Sequence, residues 1–231
     1  MGIIDNEVIF GGKSTKDFGL LISGYGAYKA PARDYDIVSV KGRNGDLIYD
    51  NKRYENVDLT YKGLFYKGTK DYEDFQSYLL SKTGYQRLED SFHPDEFRLA
   101  CFKGELKPTV DGNYDMVSFS LKLNCKPEKY LKSGEQWVVF NNGGTLMNPA
   151  LYKALPLIRL YNSGTLTING TSITVNNVDG YVDIDCDIMD AYKGDVNMNG
   201  NVTGDFPALD SGANIITFTG RCDIRPRWYT I

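Results

Sequence analysis

The 231-residue chain has few of the residues that most catalytic and metal sites need. It contains one histidine, His93, and four cysteines without a CxxC pair. A lone histidine cannot build a His-rich metal site, and cysteines this far apart have the wrong spacing for a zinc knuckle or a redox motif. We therefore expect no metal and no cofactor. We also expect buried, reduced thiols at Cys101, Cys125, Cys186 and Cys222.

Long apolar runs and an excess of basic charge are also missing. No apolar stretch approaches the roughly 20 residues that span a bilayer, and the N-terminus lacks the apolar segment of a secretory signal. The net charge is −4 and the pI is about 5.1, with lysine and arginine scattered along the chain. Nucleic acid binding draws on clustered basic residues. We expect a soluble protein, made in the cytoplasm, that needs neither a membrane nor a nucleic acid.

The acidic residues offer two candidate sites, and neither has the geometry that its chemistry needs. Asp95 and Glu96 are adjacent, so on an extended chain they point to opposite faces and cannot flank one glycosidic bond. The series Asp183, Asp185, Asp187 and Asp190 resembles the start of a calcium loop, but the glycine and glutamate that such a loop requires are absent. We predict no enzyme activity. We expect Asp183, Asp185 and Asp187 to form the solvent face of a strand. The inner face of that strand is formed by Val182, Ile184, Cys186 and Ile188.

Alternation of apolar and polar residues with a period of two dominates the chain and predicts β-strands. Three Asn-Gly pairs, at Asn44, Asn169 and Asn199, are typical of type I′ hairpin turns, which need two residues with positive φ. The clearest predicted strand has an apolar face formed by Val117, Phe119, Leu121, Leu123 and Cys125.

One segment, from about Lys70 to Lys82, predicts a helix with Tyr72, Phe75 and Leu79 on one face and Thr69 as its cap. The polar and turn-rich residues after position 130 predict a domain boundary there. The predicted fold is mostly β. An α+β N-terminal domain with one helix would span 1–130, and a β-sandwich domain would span 131–231.

Several motifs, taken in order, give the chain a family resemblance. They are the strand Phe18–Ile22, the hairpin Lys41–Asp50 with its Arg-Asn-Gly turn, one helix, a long alternating strand and the ending Pro226-Arg-Trp228. No single motif is specific, but the set resembles the distal tail proteins of siphophages and prophages of Gram-positive bacteria.

This resemblance implies a structural protein of the virion tail tip and a galectin-like β-sandwich as the second domain. In the family, the N-terminal domains form a six-fold ring. That ring joins the tail tube protein to the tail-associated adhesion or lysin protein, and it often anchors receptor-binding proteins. The partners implied for this chain are therefore other copies of itself, in a homohexamer, and these tail proteins.

The resemblance also places particular residues at contacts. We expect the hairpin to reach a neighbouring subunit or the ring lumen, although it could simply turn the chain. The residues expected at this subunit interface are Arg43, Asn44, Gly45, Arg53 and Tyr54.

The C-terminal Pro226, Arg227 and Trp228 are expected to dock onto their own chain or an adjacent domain, with the Arg227 guanidinium on the Trp228 ring.

An alternative function uses the same tryptophan, Trp228. In that alternative, Trp137 and Trp228 are sugar-stacking platforms, and the second domain is a carbohydrate-binding module for cell-wall polysaccharide. Substitution of either tryptophan and a glycan array would discriminate the two functions.

Overall fold

The computed structural model describes residues 6–25, 30–66, 70–109 and 115–231. The chain divides into two compact units, unit 1 (Met1–Lys129 with Ile231) and unit 2 (Tyr130–Thr230). Strands dominate both units, and α1 (Lys70–Ser81) is the one α-helix in the described ranges. The prediction of a mostly β fold with one helix is confirmed. That unit 2 is galectin-like, and that the two units are separate domains, stay predictions.

Unit 1 contains a large sheet and a separate hairpin. The strands are β1 (Val8–Phe10), β2 (Lys13–Ser14), β3 (Leu21–Tyr25), β4 (Arg33–Val38), β5 (Leu47–Tyr54), β6 (Val57–Tyr66), β7 (Gln86–Asp90), β8 (Glu96–Thr109) and β9 (Met116–Leu131), with a 3-10 helix at Thr15–Phe18. The sheet has the order β2-β1-β7-β8-β9-β6-β3, whereas β4 pairs with β5 alone.

The core of unit 1 follows from the alternation in β9 and the amphipathic face of α1. All five apolar residues predicted on the inner face of β9 are buried. This confirms both the strand and the prediction of which of its faces points into the core. From α1, Tyr72, Phe75 and Leu79 are buried as predicted. The Tyr72 ring stacks on Phe65 of β6 with centroids 4.2 Å apart. Thr69, the predicted cap, lies outside the described residues.

Unit 2 is built from two sheets around one core. Its strands are β10 (Val138–Asn141), β11 (Gly144–Asn148), β12 (Leu157–Leu160), β13 (Gly164–Ile168), β14 (Thr171–Val175), β15 (Val182–Asp185), β16 (Asp190–Lys193), β17 (Val196–Asn197), β18 (Val202–Gly204), β19 (Gly212–Thr217), β20 (Arg221–Arg225) and β21 (Tyr229–Thr230), with 3-10 helices at Lys132–Glu135 and Asn199–Asn201. The six-stranded sheet has the order β10-β20-β12-β15-β16-β17, and the five-stranded sheet has the order β11-β19-β13-β14-β18. The short strand β21 belongs to neither of these two sheets.

The three Asn-Gly pairs have different conformations. Asn169 and Gly170 join β13 to β14 with φ of 49° and 88°, as a type I′ turn requires, so this prediction is confirmed. At the second pair only Gly45 has positive φ, because eight residues rather than two separate β4 from β5. The third pair begins the 3-10 helix Asn199–Asn201, so it is not a hairpin turn.

The prediction that Asp183 and Asp185 line a solvent face is wrong. They are only 4% and 6% exposed, because arginines from other segments lie against both carboxylates. Arg159 holds Asp183 through two bonds of 2.6 and 2.7 Å, and Arg227 holds Asp185 through two bonds of 2.7 and 2.8 Å. Ile188, predicted to be internal, is 62% exposed because β15 ends at Asp185.

The cysteines are free thiols, as predicted. Cys125, Cys186 and Cys222 are buried, and this burial raises the pKa of each to about 12, so they are inert at neutral pH. Cys101 is half-buried, so burial is confirmed for three of the four. Within the described ranges, no helix has both the length and the apolar character needed to cross a membrane.

Candidate protein interaction site on the β4–β5 hairpin

The β4–β5 hairpin carries apolar side chains on both of its faces. Ile37 pairs with Ile48, and the next pair is Val38 with Leu47. Since neighbouring residues of a strand point to opposite faces, each face receives one of these pairs. Both pairs are exposed to solvent, and Ile37, Ile48 and Tyr49 are 65%, 66% and 68% exposed. The hairpin thus presents apolar surface in two directions.

Such a hairpin has little to stabilise it by itself. None of its residues belongs to the buried core of unit 1, and an isolated two-stranded hairpin is at best marginally stable in water. Covering Ile37 or Ile48 would contribute on the order of 2 kcal/mol each. Exposed apolar surface is therefore the feature of this hairpin that makes it a candidate protein contact site.

The open end of the hairpin is held by polar contacts between its two strands. The Arg33 guanidinium donates to the Asp50 carboxylate at 3.0 Å and to the Tyr54 hydroxyl at 2.6 Å. Arg53 pairs with Asp34 at 2.8 Å. These partly exposed contacts add little stability, but they fix the pairing of β4 with β5 at this end.

The turn between the strands is polar and positively charged. Arg43, Asn44 and Gly45 are all exposed, and the Arg43 amide donates to the Val40 carbonyl at 3.2 Å. Arg43 forms no ion pair with any residue that the structure describes. The Arg43 guanidinium is therefore available to form an ion pair with a carboxylate of a partner protein.

The structure places the five predicted interface residues on one hairpin but not in one cluster. Arg43, Asn44 and Gly45 lie at the turn, whereas Arg53 and Tyr54 lie at the opposite end. The sequence reasoning missed the apolar residues between them. The available signal was a pair of short apolar runs without alternation on either side of a glycine-containing turn, at Ile37, Val38, Leu47, Ile48 and Tyr49.

The C-terminal residues pack within unit 2. Trp228 is 4% exposed and part of the core, and its carbonyl accepts from the Leu131 amide at 2.9 Å. The Arg227 amide donates to the Gly134 carbonyl at 2.8 Å. The Arg227 guanidinium is bound to Asp185, and the stacking expected on Trp228 is not among the cation–π contacts of the described residues.

The two tryptophans do not form exposed sugar platforms. Trp228 is buried, and the half-buried Trp137 ring is covered by the guanidinium groups of Arg159 and Arg225, whose carbons lie 5.4 and 4.9 Å from its centroid. In unit 1, the His93 Nδ1 lies 2.9 Å from the Asp90 carboxylate. Among the described residues, no group of three or more His, Cys, Asp or Glu side chains could hold a metal ion.

The chain resembles known proteins in its structure, whereas comparisons of its sequence find no match. No family model matches the chain, and no curated protein matches its sequence. The crystal structure of the SPP1 Dit protein (gp 19.1), described as a paradigm of the hub adsorption apparatus in phages that infect Gram-positive bacteria, matches with a TM-score of 0.73 at 13% identity, over 95% of this chain and 97% of that one.

Two structures of the phage P2 baseplate in its activated conformation also match, at 12% identity each. The complex with Ca has a TM-score of 0.52 over 95% of this chain and 97% of that one. The complex with Sr has a TM-score of 0.50 over 96% of this chain and 98% of that one. The neighbours are structural proteins of phage baseplates. The likeness to distal tail proteins that the sequence motifs indicate is thereby confirmed at the level of the fold.

Proposed function

We propose that this chain is a structural hub protein of a phage or prophage tail tip and not an enzyme. The observation that carries the proposal is the likeness to the SPP1 Dit hub protein over nearly the whole of both chains. The proposed hub is a hexameric ring. It joins the tail tube to a tail-associated adhesion or lysin protein, and it anchors receptor-binding proteins. The protein is made and assembled in the bacterial host cytoplasm and resides at the virion tail tip.

The exposed β4–β5 hairpin supports the proposed ring by offering a contact between subunits. A head-to-tail contact repeated around an axis closes into a ring when its rotation divides a full turn. A hairpin with apolar side chains on both faces fits such a contact, because the next subunit covers surface that is exposed in the single chain. We therefore assign the hairpin of one subunit to a site on its neighbour.

The proposal is tested by light scattering after size-exclusion chromatography, followed by negative-stain imaging. We expect the purified chain, of 26.0 kDa, to elute at micromolar concentration with the mass of six copies and to appear as rings. The variant Ile37→Asp/Ile48→Asp places two charges on one of the two exposed faces of the hairpin and should be monomeric. The control Leu80→Asp changes a residue of α1 with a similar exposure of 63% and should keep the ring.

The competing carbohydrate-binding function makes a different prediction for the same sample. A wild-type protein that stays monomeric and binds cell-wall polysaccharide would contradict the hub proposal. In that case Trp137→Ala should abolish binding, since Trp228 is too buried to stack on a sugar. A zymogram on purified cell wall should show no clearing, because the hub proposal includes no hydrolase activity.

A further inference from the structure

Asn44, at the turn of the β4–β5 hairpin, is one of the asparagines that a glycine follows in the chain. The same is true of Asn142, Asn169 and Asn199. A glycine in this position permits a reaction within the main chain, because without a Cβ its amide nitrogen can approach the asparagine side chain closely. The surroundings of each asparagine decide whether that approach is possible in the folded chain.

The reaction converts asparagine into an acidic residue and needs only water. The glycine amide nitrogen attacks the asparagine Cγ, so an N–Cγ bond forms, the Cγ–Nδ2 bond breaks, and ammonia leaves with the proton of the glycine amide. Water then opens the resulting cyclic imide. Opening at Cγ gives aspartate, whereas opening at the main-chain carbonyl gives isoaspartate, in which the main chain runs through the side-chain carbon. The asparagine side chain must therefore be free to turn towards the glycine amide.

Hydrogen bonds hold the side-chain amides of Asn169 and Asn142 in place. The Asn169 Nδ2 donates to the Asn214 side-chain oxygen at 2.7 Å, and the Asn169 Oδ1 accepts from the Ile215 amide at 2.9 Å. The Asn142 Oδ1 accepts from the Gly220 amide at 2.9 Å. These bonds must break before either side chain can turn towards the glycine that follows it.

Asn199 is held in the same way, although it is exposed. Its Oδ1 accepts from the Ala191 amide at 2.7 Å, and its Nδ2 donates to the Asp190 carboxylate. A net hydrogen bond shifts an equilibrium roughly fivefold, so each such bond slows the reaction by a similar factor. Exposure alone therefore does not make an asparagine reactive in this fold.

Asn44 has none of these restraints. It is exposed, and its side chain forms no hydrogen bond with any residue that the structure describes. Within the same part of the chain, the Gly45 amide is also without an acceptor. A Cβ built on Gly45 would meet no atom within 4 Å, so the space around the turn is open. Both reacting groups, the side-chain amide of Asn44 and the main-chain nitrogen of Gly45, are free to meet.

We propose that Asn44 is a site of spontaneous deamidation in the folded chain. The turn carries two basic residues, Lys41 and Arg43, and one acidic residue, Asp46. A carboxylate at position 44 balances this charge and is the chain neighbour of the Arg43 guanidinium. The isoaspartate product also lengthens the main chain of the turn by one carbon. Deamidation thus changes both the charge and the shape of the hairpin tip.

The inference concerns the folded chain itself, but its consequence for assembly rests on the proposed hub function. A chain that deamidates before it assembles brings a turn without net positive charge to its neighbour. Once the neighbour covers the hairpin, the turn moves less and the reaction at Asn44 slows. Time spent unassembled is therefore recorded as a chemical change at Asn44.

The inference is tested by peptide mapping with mass spectrometry, which follows the four asparagines while the full chain is incubated at mildly alkaline pH. Wild type is compared with Ile37→Asp/Ile48→Asp, whose hairpin is expected to stay uncovered. In this variant we expect Asn44 to react at least about fivefold faster than Asn142, Asn169 or Asn199. In concentrated urea the hydrogen bonds of the fold are lost, so the four rates should converge.

Equal rates at the four asparagines in the folded variant would overturn the inference, as would a lead of Asn44 that is as large in urea as in the folded chain. Enzymatic methylation of isoaspartate gives a second measurement. Adding Asn44→Gln to the variant should remove more than half of the isoaspartate formed, and an unchanged amount would also overturn the inference. In wild type, a slower reaction at Asn44 than in the variant supports the subunit contact. Failure of the hub proposal leaves the comparison within the variant unaffected.

Discussion

The Arg159–Asp183 pair gives the sharpest test of how unit 2 is stabilised. Asp183 is 4% exposed and depends on two short bonds from Arg159, whose side chain is 32% exposed. Replacing Arg159 with methionine keeps an unbranched apolar stem but removes the guanidinium, whose carbon lies 4.2 Å from the centroid of the Tyr181 ring. The substitution leaves the buried Asp183 carboxylate without its cation. Breaking a fully buried pair in this way costs about 3–5 kcal/mol. Because water reaches the guanidinium here, we expect Arg159→Met to lower the free energy of unfolding by about 2–3 kcal/mol.

Urea unfolding followed by tryptophan fluorescence measures this change selectively, because Trp137 and Trp228 are the two tryptophans of the chain and both belong to unit 2. The matched control is Lys153→Met, which removes the partner of Asp210 from an ion pair of 2.9 Å with side chains 63% and 51% exposed. We expect this control to cost no more than about 1 kcal/mol.

A second variant separates the loss of the pair from the loss of packing. In Arg159→Met/Asp183→Leu no buried charge is left, so most of the lost stability should return. Equal effects of Arg159→Met and Lys153→Met would refute the claim that the buried carboxylate depends on its arginine. A double variant less stable than Arg159→Met would refute it as well.

Two further predictions concern close packing and pH. A Cβ on Gly63 would lie 2.3 Å from the Phe119 ring, so Gly63→Ala should destabilise unit 1 by about 1–3 kcal/mol in thermal unfolding. The control is Gly24→Ala, because the space around a Cβ at Gly24 is open, and it should cost less than half as much stability. The hydrogen bond from Arg221 holds the pKa of Asp223 below its usual range, so its contribution to stability is present above about pH 4 and is lost as the pH falls through the lower folded-state pKa. Urea unfolding at pH 7, 5 and 3 should show a smaller acid loss in Asp223→Asn than in wild type, and an equal loss would contradict this assignment.

The sequence predicts those parts of the fold in which burial follows one simple period. β9 alternates along most of its length, and α1 repeats its apolar residues at helical spacing, so both elements and their buried faces agree with prediction. The Asn169 turn agrees because two residues with positive φ join directly paired strands. In each case the local pattern alone determines the structure.

The errors arise where another segment decides the environment of a side chain. The alternation in β15 correctly predicts that Asp183 and Asp185 lie on the face opposite to Val182 and Ile184. It contains no information on the arginines that cover their carboxylates. Ile37 and Ile48 are the converse case, because apolar residues on both faces of a strand are typical of burial, yet both side chains are exposed. Such a departure from expected burial is a useful signal, because surface that is left uncovered in one chain is available to another.

The mass of the assembled protein tests the central claim most directly. Light scattering on the purified chain at micromolar concentration should give six copies for the wild type and one copy for Ile37→Asp/Ile48→Asp, with Leu80→Asp matching the wild type. A wild-type protein with the mass of a single chain, or a hexamer unaffected by charges on the hairpin, would contradict the account.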